Sequence, residues 1–313
     1  EQGYPEGCRE GPGGYDGEGA MKASNMNAVK FIVIVLVALA LRMAAVVVCG
    51  GDPVAGVHQY REIVAACKVF PFALGMLAMA YGALLAVYLT FRRYWAGRPA
   101  QQGLVFGSLF GLIWVVGMIE GSLVLATSLK HEIIFGLCEV PPILSVGLLG
   151  GLLFRSANED TPTPVASGLM DGLYTSIAIV LSFLAGRYLS YSVINVESAF
   201  LKLPAETFLW TLAMGMTVGV LYQFCGRTLP GSPLVKGLLF SFVVFGIDWM
   251  LFTQVVPVLF YVTPFEWFRS FVVRVLMDCV FIAMGVAISS GTQREYCRQE
   301  SRCHEGLSEE MNS

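Results

Sequence analysis

The sequence predicts an all-α integral membrane protein of about eight transmembrane helices, arranged as two parallel four-helix internal repeats. Three observations lead there. Of 313 residues, 56 % are hydrophobic and only 14 % are charged, against roughly 25 % charged in a soluble domain. Apolar runs of about twenty residues, long enough to cross a hydrocarbon core of about 30 Å as helices, recur along the whole chain. The third observation is internal similarity. Gly97-Arg-Pro-Ala-Gln-Gln-Gly-Leu-Val-Phe106 returns as Gly231-Ser-Pro-Leu-Val-Lys-Gly-Leu-Leu-Phe240.

The match extends beyond that block. Tyr88 and Tyr222 precede the two copies in register, and each copy soon meets a tryptophan, Trp114 or Trp249. Upstream, Ile34-Val-Leu-Val-Ala-Leu-Ala-Leu-Arg42 is echoed by Ile179-Val-Leu-Ser-Phe-Leu-Ala-Gly-Arg187. Downstream, Glu132 and Glu266 hold matching places before the last apolar run of each half. Blocks that match in the same order point to duplication.

Residues 1–28 are expected to form an irregular N-terminal segment. The Gly- and Glu-rich residues 1–20 lack the apolar core of a signal peptide, and Met21-Lys22 reads as a natural start. Repeat A then covers 29–154, with apolar runs at 29–48, 70–91, 103–128 and 133–154. A polar linker at 155–168 contains Asn-Glu-Asp-Thr-Pro-Thr-Pro. Repeat B covers 169–290, with runs at 170–190, 206–225, 236–262 and 268–290. Residues 291–313 form a polar tail. In lipid every backbone polar group needs an internal partner, so runs of this length form helices.

Orientation follows from Lys and Arg in the short loops. Lys22 and Lys30 precede the first run; Arg92, Arg93 and Arg98 follow the second, Arg155 the fourth, and Arg227 with Lys236 the sixth. Arg294, Arg298 and Arg302 follow the eighth, while the opposite loops carry fewer cations. Both termini are therefore expected in the cytoplasm, in a bacterial-type inner membrane. Four spans per repeat make the repeats parallel, related by an axis along the membrane normal. Gly103, Gly107 and Gly111, spaced by four, share a face on which a neighbouring helix can approach closely, and Gly237 and Ser241 repeat the first two.

The informative residues are ionisable groups within the spans, each of which costs about 2.5–3.5 kcal/mol or more at mid-bilayer unless paired or hydrated. They are Arg42, Glu120, Glu139, Arg187, Asp248, Arg274 and Asp278. The expected topology places all seven in the outer half of the bilayer as one charged layer. Each half has an Arg late in its first span and a carboxylate in its fourth: Arg42 with Glu139, and Arg187 with Asp278. Pro141 and Pro142 follow Glu139 and are expected to break the fourth helix and free carbonyls beside it.

That layer suggests binding or transport of a small solute, with the Arg residues meeting an anionic group and Glu139 carrying a proton or cation. The alternative is a non-catalytic scaffold or sensor subunit whose charges pair with one another and fix helix register. An intramembrane enzyme ranks third: Ser108 in Gly107-Ser-Leu-Phe-Gly111 fails the nucleophile-elbow pattern. No histidine falls mid-span, and no phosphate loop or metalloprotease motif occurs, so no catalytic residue, metal site or cofactor is assigned.

Three weaker signals complete the reading. Cys49 and Cys67 flank the first outward loop and could be bridged in an oxidising compartment. Cys297, Cys303 and His304 sit in the polar tail, and His131-Glu132 is expected to be an interfacial pair without a role. A net charge of −3 gives no reason to expect nucleic acid. The expected partners are the lipid bilayer and a small solute or ion, with self-association into a homo-oligomer left open.

Overall fold

In a computed structural model, the described residues are 17–49, 69–95, 97–124, 127–154, 169–196, 198–259 and 262–289. They form an all-helical bundle with no strand among them, and eight helices are long and apolar enough to cross a membrane. We number them α1 (Gly17–Cys49), α2 (Val69–Phe91), α3 (Pro99–Val124), α4 (Leu129–Leu153), α5 (Leu169–Ser192), α6 (Pro204–Gly226), α7 (Pro233–Val255) and α8 (Pro264–Ser289). The chain is a polytopic membrane helix bundle.

Proline sets several helix starts. Pro99, Pro204, Pro233 and Pro264 each open a helix, where the missing N–H is no loss and the fixed φ suits the first turn. Helices therefore begin up to four residues before the apolar runs do, because the first turn is polar. Two of the connections are alike in detail. Gly97 and Gly231 both adopt left-handed φ, +103° and +105°, two residues before Pro99 and Pro233. A side chain would strain either turn. Ser232 then caps α7 by accepting from the Val235 amide, and Thr263 with Glu266 forms a capping box at α8.

The first helix begins at Gly17, so residues 17–28, expected to be irregular, are helical. Polar residues there add turns to a span whose apolar part drives burial in lipid. The expected break in α4 does not occur. The helix runs through Pro141 and Pro142 without interruption. Each proline removes one donor, toward the carbonyls of Leu137 and Cys138, and the helix continues on both sides of the pair. Residues 155–168 and the tail at 290–313 lie outside the described residues, as do Cys67 and the side chain of Cys49. Cys138, in contrast, is disulfide-bonded.

Close helix approach follows the small residues. A Cβ added at Gly103 would overlap the Gly147 carbonyl, one at Gly107 would meet the Leu144 backbone at 2.9 Å, and one at Gly111 would touch Val140. This is the face expected from the spacing by four, and it seats α3 on α4. In the second half Gly237 lies against the Ala283 carbonyl, 2.7 Å from an added Cβ. Where sequence gave no hint, the second half departs from the first: wide π-turns occupy Tyr222–Gly226, Leu239–Phe245 and Phe268–Val273 of α6, α7 and α8.

The halves join through their middle helices. α2 packs on α7 and α3 on α6, while α1 packs on α4. Trp95, between α2 and α3, donates its indole N–H to the Cys225 carbonyl of α6 at 3.1 Å, and Trp210 of α6 donates to the Val116 carbonyl of α3 at 2.7 Å. Both tryptophans are buried, and each indole satisfies its donor across the seam. Exposed apolar side chains such as Val29, Ile32 and Leu36 on α1, or Leu181 on α5, provide the outward apolar surface that lipid solvates.

Candidate functional site

All seven ionisable residues read from the sequence are buried, and the helices gather them in two separate sets with one residue between. The first set joins α1, α2 and α4. Arg42 Nε is ion-paired with Glu139 Oε1, and the Tyr81 hydroxyl donates to Glu139 Oε2 at 2.9 Å. The Arg42 guanidinium lies 4.4 Å from the centre of the Phe135 ring. Its Nη1 is buried without a hydrogen-bond partner among the described residues.

The second set joins α3, α5, α7 and α8. Arg187 faces Asp278 side-on: its Nη2 donates to Oδ2 at 2.8 Å, and its Nε lies 2.8 Å from Oδ1 as an ion pair. Its Nη1 donates to Glu120 Oε1 at 2.9 Å, and the same oxygen accepts from Arg274 Nη1 at 3.1 Å. Trp249 adds an indole N–H to Asp278 Oδ2 at 2.9 Å. Arg187 is wholly inaccessible, with Phe183, Trp210 and Trp249 rings 4.8–5.9 Å from its guanidinium carbon. A planar, bidentate donor flanked by aromatic faces is an arrangement that suits arginine and that lysine cannot reproduce.

Charge balances within each set. Arg42 offsets Glu139; Arg187 and Arg274 offset Glu120 and Asp278. Arg42–Glu139 and Arg187–Asp278, which hold matching places in the first and fourth spans of the two halves, are both ion pairs. Arg274 and Asp278, one turn apart on α8, instead share the network through Glu120 and Arg187.

Asp248 stands apart. It is 1 % exposed, and Trp114 Nε1 donates to both of its oxygens, at 3.2 and 3.1 Å. Among the described residues it forms no ion pair. Trp114 also lies 6.4 Å, centre to centre, from the ring of Tyr81, and its edge meets Phe252 at 5.0 Å. Phe252 in turn stacks on Trp249 at 5.2 Å. Polar and aromatic groups therefore run without a gap from Arg42 through Glu139, Tyr81 and Trp114 to Asp248, and from Phe252 and Trp249 to Asp278 and Arg187. The seven charges form two neutral ion clusters joined by an aromatic bridge, which carries one carboxylate without an ion pair among the described residues.

Several partners were missed in the sequence. Tyr81 lies in no matched block, so nothing marked it. Trp114 and Trp249 were visible as repeat markers, and their indole donors could have signalled buried acceptors, since an unpaired N–H is costly in lipid. Glu132 was read as interfacial but is buried, accepting from Thr127 Oγ1, whereas its sequence counterpart Glu266 serves the exposed capping box of α8. His131 is exposed. Ser108 is exposed and donates to the Leu104 carbonyl one turn back. Among the described residues no group of three or more His, Cys, Asp or Glu side chains is placed to hold a metal ion. Comparison with known proteins returns no matching family model, no matching curated protein and no matching solved structure.

Proposed function

We propose that this chain is a membrane transporter of two parallel four-helix units that binds and moves a small solute with an anionic group at the charged centre of the bundle. The observation that carries the reading is Asp248: a carboxylate without a cation, buried where the two halves meet. Such a group inside a membrane is costly and adds nothing to packing that Leu or Asn would not supply, so a role in binding or coupling explains its presence best. The Nη1 of Arg42, buried without a hydrogen-bond partner among the described residues, supports an anionic solute, because such a guanidinium N–H is open to an acceptor.

Duplication is supported by the like turns at Gly97 and Gly231 and by the packing at the seam. If α2 and α3 of the first unit exchange with α6 and α7 of the second, the contact of α2 with α7 becomes that of α6 with α3, and both occur. Trp114 and Asp248 are themselves equivalent under the repeat. Equivalent positions touch only near the axis relating them, which puts the uncompensated carboxylate close to that axis. The excess of Lys and Arg in alternate loops supports cytoplasmic termini in a bacterial-type inner membrane.

One specific observation favours a second reading, a non-catalytic scaffold or sensor subunit. Six of the seven charges sit in neutral sets, which is what register-fixing pairs require. The two readings separate in one experiment. Thermal unfolding of the detergent-purified protein is followed against a panel of small anions, metabolites and lipids, alongside Arg42→Gln and Glu139→Gln. A ligand that raises the midpoint of the native protein and not of these variants supports the transporter. No ligand shift, with both variants strongly destabilised, overturns it in favour of the scaffold.

A further inference from the structure

The geometry points to Asp248 as a site that exchanges a single proton, and to the proton, not a metal cation, as the ion that accompanies the solute. This deepens the transporter reading and rests on it for its purpose, though the site can be tested without any solute.

The donor set decides between proton and metal. A bound metal cation needs several oxygens around it, six or more for calcium or magnesium. Asp248 offers two, and an indole N–H points at both of them, at 3.2 and 3.1 Å. That N–H presents positive charge where a metal would have to sit. A proton needs one lone pair only. With the acid neutral, one oxygen still accepts from Trp114 while the other bears the proton, so Trp114 holds the side chain in place in either form.

The neighbours leave this carboxylate free to change charge. The helices around α7 carry Tyr81 and Tyr88 on α2, Glu120 on α3, Glu206, Tyr222 and Cys225 on α6, and Glu266, Arg269, Arg274, Asp278 and Cys279 on α8, with Arg187 and Tyr191 on α5 beyond them. Glu120, Asp278 and Arg274 are bound to one another through Arg187, and Tyr81 donates to Glu139. Glu139, expected from the sequence to carry a proton or cation, faces Arg42 at ion-pair distance, and protonating it would leave that arginine buried and unpaired. Protonating Asp248 strands no charge. It removes the one of the seven charges that forms no ion pair among the described residues.

The test uses the full-length protein in nanodiscs, with tryptophan emission and infrared difference spectra recorded across the pH range in which it stays folded. We expect one transition of one proton, with a carboxylic-acid carbonyl band appearing as the pH falls. Asp248→Asn should abolish both signals. Trp114→Phe should silence the emission change and keep the infrared band. Asp248→Glu should keep both and move their midpoint, which preserves the test if the Asn variant does not fold. Absence of any transition in the native protein, its persistence in Asp248→Asn, or an emission change that survives Trp114→Phe overturns the proposal. So does a response to sodium or potassium over choline at fixed pH, which would assign the site to a metal cation. An Asp248 transition without any stabilising solute would leave the proton site standing and remove the transporter. A solute that binds through Arg42 with no Asp248 transition would do the reverse.

Discussion

Trp114 donates its indole N–H to both oxygens of Asp248, and the two residues stand 134 positions apart, the separation that also relates Gly97 to Gly231 and Tyr88 to Tyr222. One half supplies an indole where the other supplies a carboxylate. Their bond stitches α3 to α7 where the two halves of the chain meet.

That bond predicts an asymmetric mutational response. Trp114→Phe removes the donor and leaves a buried carboxylate unsatisfied, at a cost of about 1–3 kcal/mol. Asp248→Leu removes the charge and leaves only an indole N–H. The double variant should be more stable than Trp114→Phe alone, because no unsatisfied carboxylate remains. Unfolding in mixed micelles measures all three, and a double variant as unstable as the two losses added would show that the pair is not coupled.

The four-membered set around Arg187 predicts a dependence on charge count, not on the number of bonds. Arg187→Gln leaves two carboxylates against Arg274 alone and should cost about 3–5 kcal/mol. Adding Asp278→Asn to that variant leaves Glu120 with Arg274, a neutral pair, and should recover part of the loss despite deleting a second ionic partner. If the double variant is less stable than Arg187→Gln, neutrality is not what holds the set. Arg187→Lys should not restore the native stability, since an ammonium cannot make the paired bonds to Asp278.

In the first set, Tyr81→Phe removes one of the two partners of Glu139 and leaves the Arg42 pair intact, for a loss of about 1 kcal/mol. Glu139→Gln leaves the Arg42 charge buried without a counter-ion and should cost several times as much, about 3–5 kcal/mol. Equal losses in the two variants, measured by the same unfolding assay, would mean that the ion pair contributes no more than the hydroxyl.

Much of this was legible in the sequence, for identifiable reasons. Helix number followed from apolar length, because lipid demands internally bonded backbone and leaves few alternatives. The seven charges stood out because charge is rare in such runs, and the first and fourth spans of each half carried the Arg–carboxylate matches Arg42–Glu139 and Arg187–Asp278. What stayed hidden depends on rotation about helix axes. Glu120 faces Arg187 and Arg274 across the seam, and no spacing along α3 tells which neighbouring helix it meets. The π-turn at Leu239–Phe245 rotates the following residues relative to a regular helix, so the direction of Asp248 could not be read from a period of 3.6 residues. At Pro141-Pro142 the local rule was sound but incomplete: it accounts for the two lost donors, not for the turns on either side that carry α4 through.

The glycine seam between α3 and α4 gives the most direct test of the packing. At Gly103 an added Cβ would run into the backbone carbonyl of Gly147, which cannot swing aside as a side chain would. At Gly237 the contact with the Ala283 carbonyl is 2.7 Å, and at Gly75 nothing lies within 4 Å. Gly103→Ala should therefore force α3 and α4 apart and lower stability by about 1–3 kcal/mol, the usual cost of overpacking. Gly237→Ala should lose less. Gly75→Ala should be neutral or stabilise the protein by up to about 1 kcal/mol, because alanine gives up less backbone freedom in a helix. The order Gly75→Ala, native, Gly237→Ala, Gly103→Ala is the expected ranking of unfolding midpoints. A Gly103→Ala protein as stable as the native one would mean that the two helices are not seated on each other along this face.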